Sequence, residues 1–96
     1  MSRPALERQL IELGARLKTL RSELVVADEQ LRHFADLADD SRLRALVSET
    51  PVAEREFQEA ERHATAMRRH REEVAEEIAQ IETRQDQLLD QLLSGD

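Results

Sequence analysis

The chain has 96 residues, a formal net charge of −7 and 36% charged residues, with two glycines, two prolines, two phenylalanines and no Cys, Trp or Tyr. The lack of Cys excludes disulfides, and the scarcity of turn formers and bulky side chains argues against a compact globule. The abundance of Ala, Glu, Leu, Arg and Gln is that of long helices and coiled coils.

The acidic balance disfavours direct nucleic-acid binding, which needs a basic surface to release counterions, and it disfavours anionic membranes for the same reason. No apolar run approaches the roughly 18 residues that a membrane span needs. The segment Met1 to Glu7 lacks the apolar core of a signal peptide. A cytoplasmic protein is the expectation.

Ser2 is a good N-cap, and Pro4 lies near the first helical turn, where its missing N–H costs little. From there apolar residues fall in strict 4-3 alternation: Leu6, Leu10, Leu13, Leu17, Leu20, Leu24, Ala27, Leu31, Phe34 and Ala38. This heptad repeat predicts a first helix over about 3–38 with a coiled-coil seam at its a and d positions. Gly14 sits beside the seam at an e position, either as a tolerated surface glycine or as a place where another helix comes close. Ile11, Val25, Val26 and Leu37 lie outside the seam and widen the apolar stripe, which predicts further helices packed there.

The pattern loses phase at Asp39-Asp40-Ser41. Leu43, Leu46 and Val47 then form a separate i, i+3, i+4 cluster. The reading is a hinge over about 39–50, with a short helix of its own or a helix 1 that continues past a stutter. Leu43, Leu46, Val47, Glu49 and Val52 form a candidate tip, where the apolar side chains either fold back as a cap or present a knob to a partner. Thr50-Pro51 is an N-cap followed by a first helical residue. A second helix is predicted over about 51–93, roughly 60 Å long, stopped by Ser94-Gly95. Its seam runs Phe57, Ala60, Ala64, Met67, Arg71, Val74, Ile78, Ile81, Gln85, Leu88, Leu92.

Parallel self-pairing would set Glu56 against Glu61, His63 against Arg68, Glu77 against Glu82 and Arg16 against Arg21. Nearly all such pairs carry like charge, so the sequence opposes that arrangement. An antiparallel hairpin with its turn near Glu49 sets Leu10 against Leu88, Leu17 against Ile81, Leu20 against Ile78, Phe34 against Ala64 and Arg71 against Ala27. A register seven residues shorter leaves Leu88 and Leu92 unpaired. The expected fold is all-α: a single domain over 1–96, an antiparallel two-helix coiled-coil hairpin that dimerises into a four-helix bundle, because a lone hairpin has a thin core.

Arg62, His63, Arg68, Arg69, His70 and Arg71 are the one basic concentration in an acidic chain. They are candidate partner-binding residues for an acidic surface or a phosphate-bearing ligand, or a solvated face balanced by Glu59, Glu61, Glu72 and Glu73. His63 and His70 lie two turns apart, roughly 10 Å along the axis, too far to share one metal ion. No metal site, cofactor or catalytic residue is expected. The sequence has no phosphate-binding loop, no Cys, and no Ser placed by local spacing beside a His and a carboxylate.

The stretch Leu46-Val47-Ser48-Glu49-Thr50-Pro51-Val52-Ala53-Glu54 resembles the hinge of small uncharacterised bacterial coiled-coil proteins, which implies a fold and no activity. Ser48-Glu49 before an Ala/Glu-rich helix is also similar to the hairpin tip of Gre-type transcript-cleavage factors. That family places a carboxylate three residues before the tip Glu, where this chain has Leu46, so cleavage is not implied. What the likeness implies is a tip that docks on a larger machine. The expected function is a non-enzymatic protein-interaction module, with a regulator of the transcription machinery, acting through its tip or its Arg/His face, and a phosphotransfer bundle as alternatives.

Overall fold

The computed structural model describes residues 2–95. It consists of two α-helices, α1 (Arg3–Ser48) and α2 (Pro51–Ser94), packed against each other as an antiparallel hairpin, and the described residues form no strand. Both predicted caps are present. The Ser2 hydroxyl accepts the Ala5 N–H at 3.4 Å, and the Thr50 hydroxyl accepts the Ala53 N–H at 3.2 Å. Each satisfies a donor that the first helical turn leaves without a partner. Gly95 follows α2 with φ of +76°, the left-handed conformation that ends a helix.

The two stripes read from the sequence are the interface: every residue of both is buried or half-buried. Leu88 is 0% exposed. That excludes the shorter register, which leaves Leu88 without a partner, and supports the one with its turn at Glu49.

The expected hinge over 39–50 is corrected. α1 runs without interruption to Ser48, and the Glu49 N–H still donates to the Ala45 carbonyl at 3.1 Å. The heptad does not lose phase there. Ser41 and Ala45 continue its d and a positions and are half-buried, whereas Leu43, Leu46 and Val47 point away from the seam and are exposed. Only Glu49 and Thr50 lie between the helices.

Along its length the hairpin divides into two compact units. Residues in a two-helix seam touch only the partners at their own level, so no one core gathers the whole length. One unit joins the chain up to Leu24 to the chain from Val74 onward. Its core is Leu17, Leu20, Val74, Ile78 and Ile81, with Leu13 and Leu24 packed against it, and Leu6 and Leu88 are fully buried. Arg16 clamps Glu77 across the helices through Nε and Nη2, at 3.1–3.2 Å. The other unit, Val25–Glu73, contains the turn. Its buried residues are all alanines, Ala27, Ala38, Ala53 and Ala64, flanked by half-buried Leu31, Phe34, Phe57 and Met67.

The turn stores strain. Glu49 has φ of +53°, a left-handed conformation that costs a non-glycine residue about 1–2 kcal/mol. Its side chain is exposed. Glu49→Gly is therefore expected to stabilise the hairpin by about 1 kcal/mol, less the extra freedom that glycine gives the unfolded chain. Thermal unfolding followed by circular dichroism should show a midpoint several degrees higher, at about 4–8 °C per kcal/mol for a domain of this size. A lower midpoint would contradict the assignment of strain to this residue.

Candidate functional site

The predicted basic face divides in the structure. Arg71 leaves it. Its stem starts in the seam beside small Ala27, and its Nε donates to the Asp28 carboxylate at 2.8 Å, both side chains half-exposed. Asp28 gave no signal of its own in the sequence, because the residue it serves lies on the other helix. His63, itself exposed, reaches across to α1: its ring meets the Phe34 ring edge-on at 5.5 Å, and His33 meets the same ring at 5.3 Å. Aromatic rings favour that geometry, positive edge to negative face.

Arg62, His63, Arg68, Arg69 and His70 are exposed. Among the described residues, Arg62, Arg68 and Arg69 take part in no ion pair. Arg62 and Arg69 border a shallow depression of about 290 Å³ on the outer face of α2, with Thr65 and Ala66 between them and Glu61 at its edge. Arg68 borders a different depression of about 460 Å³ between the helices. Ala35, Ala38 and Ala64 line it, with Phe57, Arg42 and Asp39 around them. Alanine on both helices leaves that space, since no side chain reaches in to fill it.

The unit that includes Val74 has a depression of its own on α2, about 420 Å³, lined by Glu76, Ala79, Gln80, Thr83, Arg84 and Gln87. The sequence reading missed this feature. Its signal was the outermost heptad position of α2, which reads Arg55, Arg62, Arg69 and then Glu76, Thr83, Asp90.

At the turn, Leu43, Leu46, Val47 and Val52 are all exposed, Val47 at 85%. They do not fold back as a cap. Buried Ala53 closes this end of the seam beside them. Ile11, Val25, Val26 and Leu37 are likewise exposed. An added Cβ on Gly14 would meet nothing within 4 Å, so no helix of this chain closes on it.

Among the described residues, no three or more His or acidic side chains converge as a metal site, and no helix is long and apolar enough to cross a membrane. The chain matches no family model, no curated protein and no solved structure.

Proposed function

We propose that this chain is a non-enzymatic protein-interaction module whose docking element is the apolar end of the hairpin. The observation that supports it is the exposure of Leu43, Leu46, Val47 and Val52 within ten residues of chain around the turn. The seam is complete without them. Large aliphatic side chains held in water on a rigid helix end contribute nothing to the fold, and they gain most by being covered by a partner. The same exposed end suits the narrower reading of a regulator that inserts its tip into a larger assembly, for which the transcription machinery is the candidate.

The test is a pull-down from native lysate with wild-type chain and with the double variant Leu46→Asp/Val47→Asp. Both sites are solvent-exposed, so helicity and melting temperature should stay within the small range of surface substitutions, about 0.5 kcal/mol. The captured partner should be lost. Capture of RNA polymerase subunits by wild type alone would support the narrower reading. An unchanged set of captured proteins would exclude the tip as the docking element.

A second reading is favoured by Arg62, Arg68 and Arg69, three exposed guanidinium groups outside every ion pair of the described residues. They form a surface for an acidic partner, where charge sets encounter rate and specificity more than folding stability. The homodimer expected from the sequence belongs here too. As a four-helix bundle it would use the exposed Ile11, Val25, Val26 and Leu37 of α1.

A further inference from the structure

We propose that Thr65, Arg68 and Arg69 form a receptor for a single phosphate monoester, carried on a phosphorylated peptide segment of a partner protein. This rests on the arginine face being a docking surface and names the chemical group that the face takes.

The three residues lie on one arc of α2 and are all exposed. Thr65 precedes Arg68 by three residues and Arg69 by four, so they are neighbours on the helix surface, with about 5–6 Å between Cβ atoms. Side chains on a helix lean toward its N-terminus, which carries the two arginines back over Ala64, Thr65 and Ala66. These small residues leave the guanidinium groups room and offer them no carboxylate. Glu72 and Glu73 follow the arginines by four residues, the weaker order for an ion pair on a helix, and neither pair forms. Arg68 also borders the groove between the helices, where Asp39 and Glu61 stand without pairing to it.

Thr65 supplies a third donor. Thr19 and Ser22 turn their hydroxyls back to the carbonyls of Ala15 and Lys18, both at 3.3 Å. Among the described residues the Thr65 hydroxyl has no such partner. Thr65 and Arg69 line the shallow depression of about 290 Å³ together with Glu61, Arg62 and Ala66. Arg62 adds a positive charge there, although its Nε donates to the Gln58 carbonyl at 3.4 Å. Glu61 at the edge opposes an anion, and the three arginines outweigh it.

The donor set selects the ligand. A phosphate monoester presents three terminal oxygens and roughly 1.5–2 negative charges at pH 7, so two guanidinium forks and a hydroxyl engage it together. A carboxylate has two oxygens and one charge, and it leaves a donor unused. The net charge of −7 repels a polyanion such as RNA, whose affinity grows with the number of phosphates neutralised. The depression is shallow and cannot enclose a free small molecule as ligand pockets do. The phosphate is therefore one held on a peptide that makes further contacts along α2.

NMR titration of the nitrogen-15-labelled full chain at constant ionic strength tests this. The probes are a short peptide carrying one phosphoserine, the same peptide with Glu at that position, the unmodified peptide, and inorganic phosphate. The phosphopeptide should shift amides around 62–69 saturably and bind about tenfold more tightly than the Glu peptide. Inorganic phosphate should shift the same amides more weakly, and the unmodified peptide should not bind. Arg68→Gln/Arg69→Gln should weaken phosphopeptide binding by about tenfold or more. Thr65→Val should weaken it by about threefold and narrow the margin over the Glu peptide. Arg55→Gln, exposed on the same helix outside the site, should bind as wild type does. Circular dichroism checks the fold of each variant. Should the double glutamine variant lose helicity, Arg68→Lys/Arg69→Lys keeps the charge, removes the forks and should still weaken binding.

Shifts that never saturate, or that the arginine variants leave unchanged, would overturn the proposal. So would tighter binding of a single-stranded RNA oligonucleotide than of the phosphopeptide. Equal binding of the phosphopeptide and the Glu peptide would overturn the phosphate assignment and leave the reading of an acidic partner standing. No shift with any probe would remove both.

Discussion

Leu20→Asp is expected to abolish the cooperative helical fold. Leu20 is 0% exposed and packs in the cluster with Leu17, Val74, Ile78 and Ile81. Removing its side chain forfeits about 2–5 kcal/mol of burial and packing. Leaving a carboxylate there with no partner costs several kcal/mol more. A small domain has about 5–15 kcal/mol of stability in all, and its long helices hold together only through the seam. The helical ellipticity at 222 nm should fall steeply at neutral pH.

Acid should give part of it back. Burial raises the introduced carboxyl's pKa in the folded state above its unfolded value near 4, so the penalty shrinks as pH falls toward that value. The exposed tip supplies the comparison: Leu46→Asp is the same chemical change on an outward face. A Leu20→Asp chain that keeps wild-type ellipticity and midpoint would refute the seam described above.

The seam was legible from its residue types. Leu10, Leu17, Leu24, Val74, Ile78, Ile81 and Leu88 are bulky, recur at the coiled-coil period, and alternate with charge, so position and burial coincide. The caps were legible for an equally local reason, since Ser2 and Thr50-Pro51 act within one turn of themselves. Legibility ended where the pattern ran on small residues. Ser41 and Ala45 hold the seam through the last turns of α1, but neither stands out as apolar and large. Leu43, Leu46 and Val47 do stand out, and they face water. A periodicity weighted by bulk follows the wrong residues there.

The basic face was legible as a composition anomaly and not as an arrangement. Whether an arginine is free depends on what the other helix puts beside it, and Asp28 is 43 positions from Arg71. The two depressions on the outside of α2 are lined by that helix alone, where small residues (Thr65 and Ala66, Ala79 and Thr83) fall between longer ones at helical spacing.

The continuity of α1 through that misread stretch has a consequence as large as that of the buried leucine. Asp40→Pro is expected to destabilise the protein by about 3 kcal/mol or more, because proline inside a helix removes a backbone donor and drives its ring into the carbonyl four residues earlier. Here that carbonyl belongs to Asp36. The side chain itself contributes little: Asp40 pairs with Arg44 at 3.4 Å, with both side chains more than half exposed, an interaction of a few tenths of a kcal/mol on a helix surface. Asp40→Ala therefore isolates the backbone effect and should stay within about 0.5 kcal/mol of wild type. Relative to Asp40→Ala, the proline variant should melt more than about 12 °C lower. Pro51 shows the contrast within the same chain, for at the first residue of α2 no helical donor is lost. Were residues 39–48 a hinge, proline there would be neutral. A midpoint for Asp40→Pro within about 3 °C of Asp40→Ala, less than 1 kcal/mol on the same scale, would return the segment to that reading and detach the exposed tip from the rigid helix that presents it.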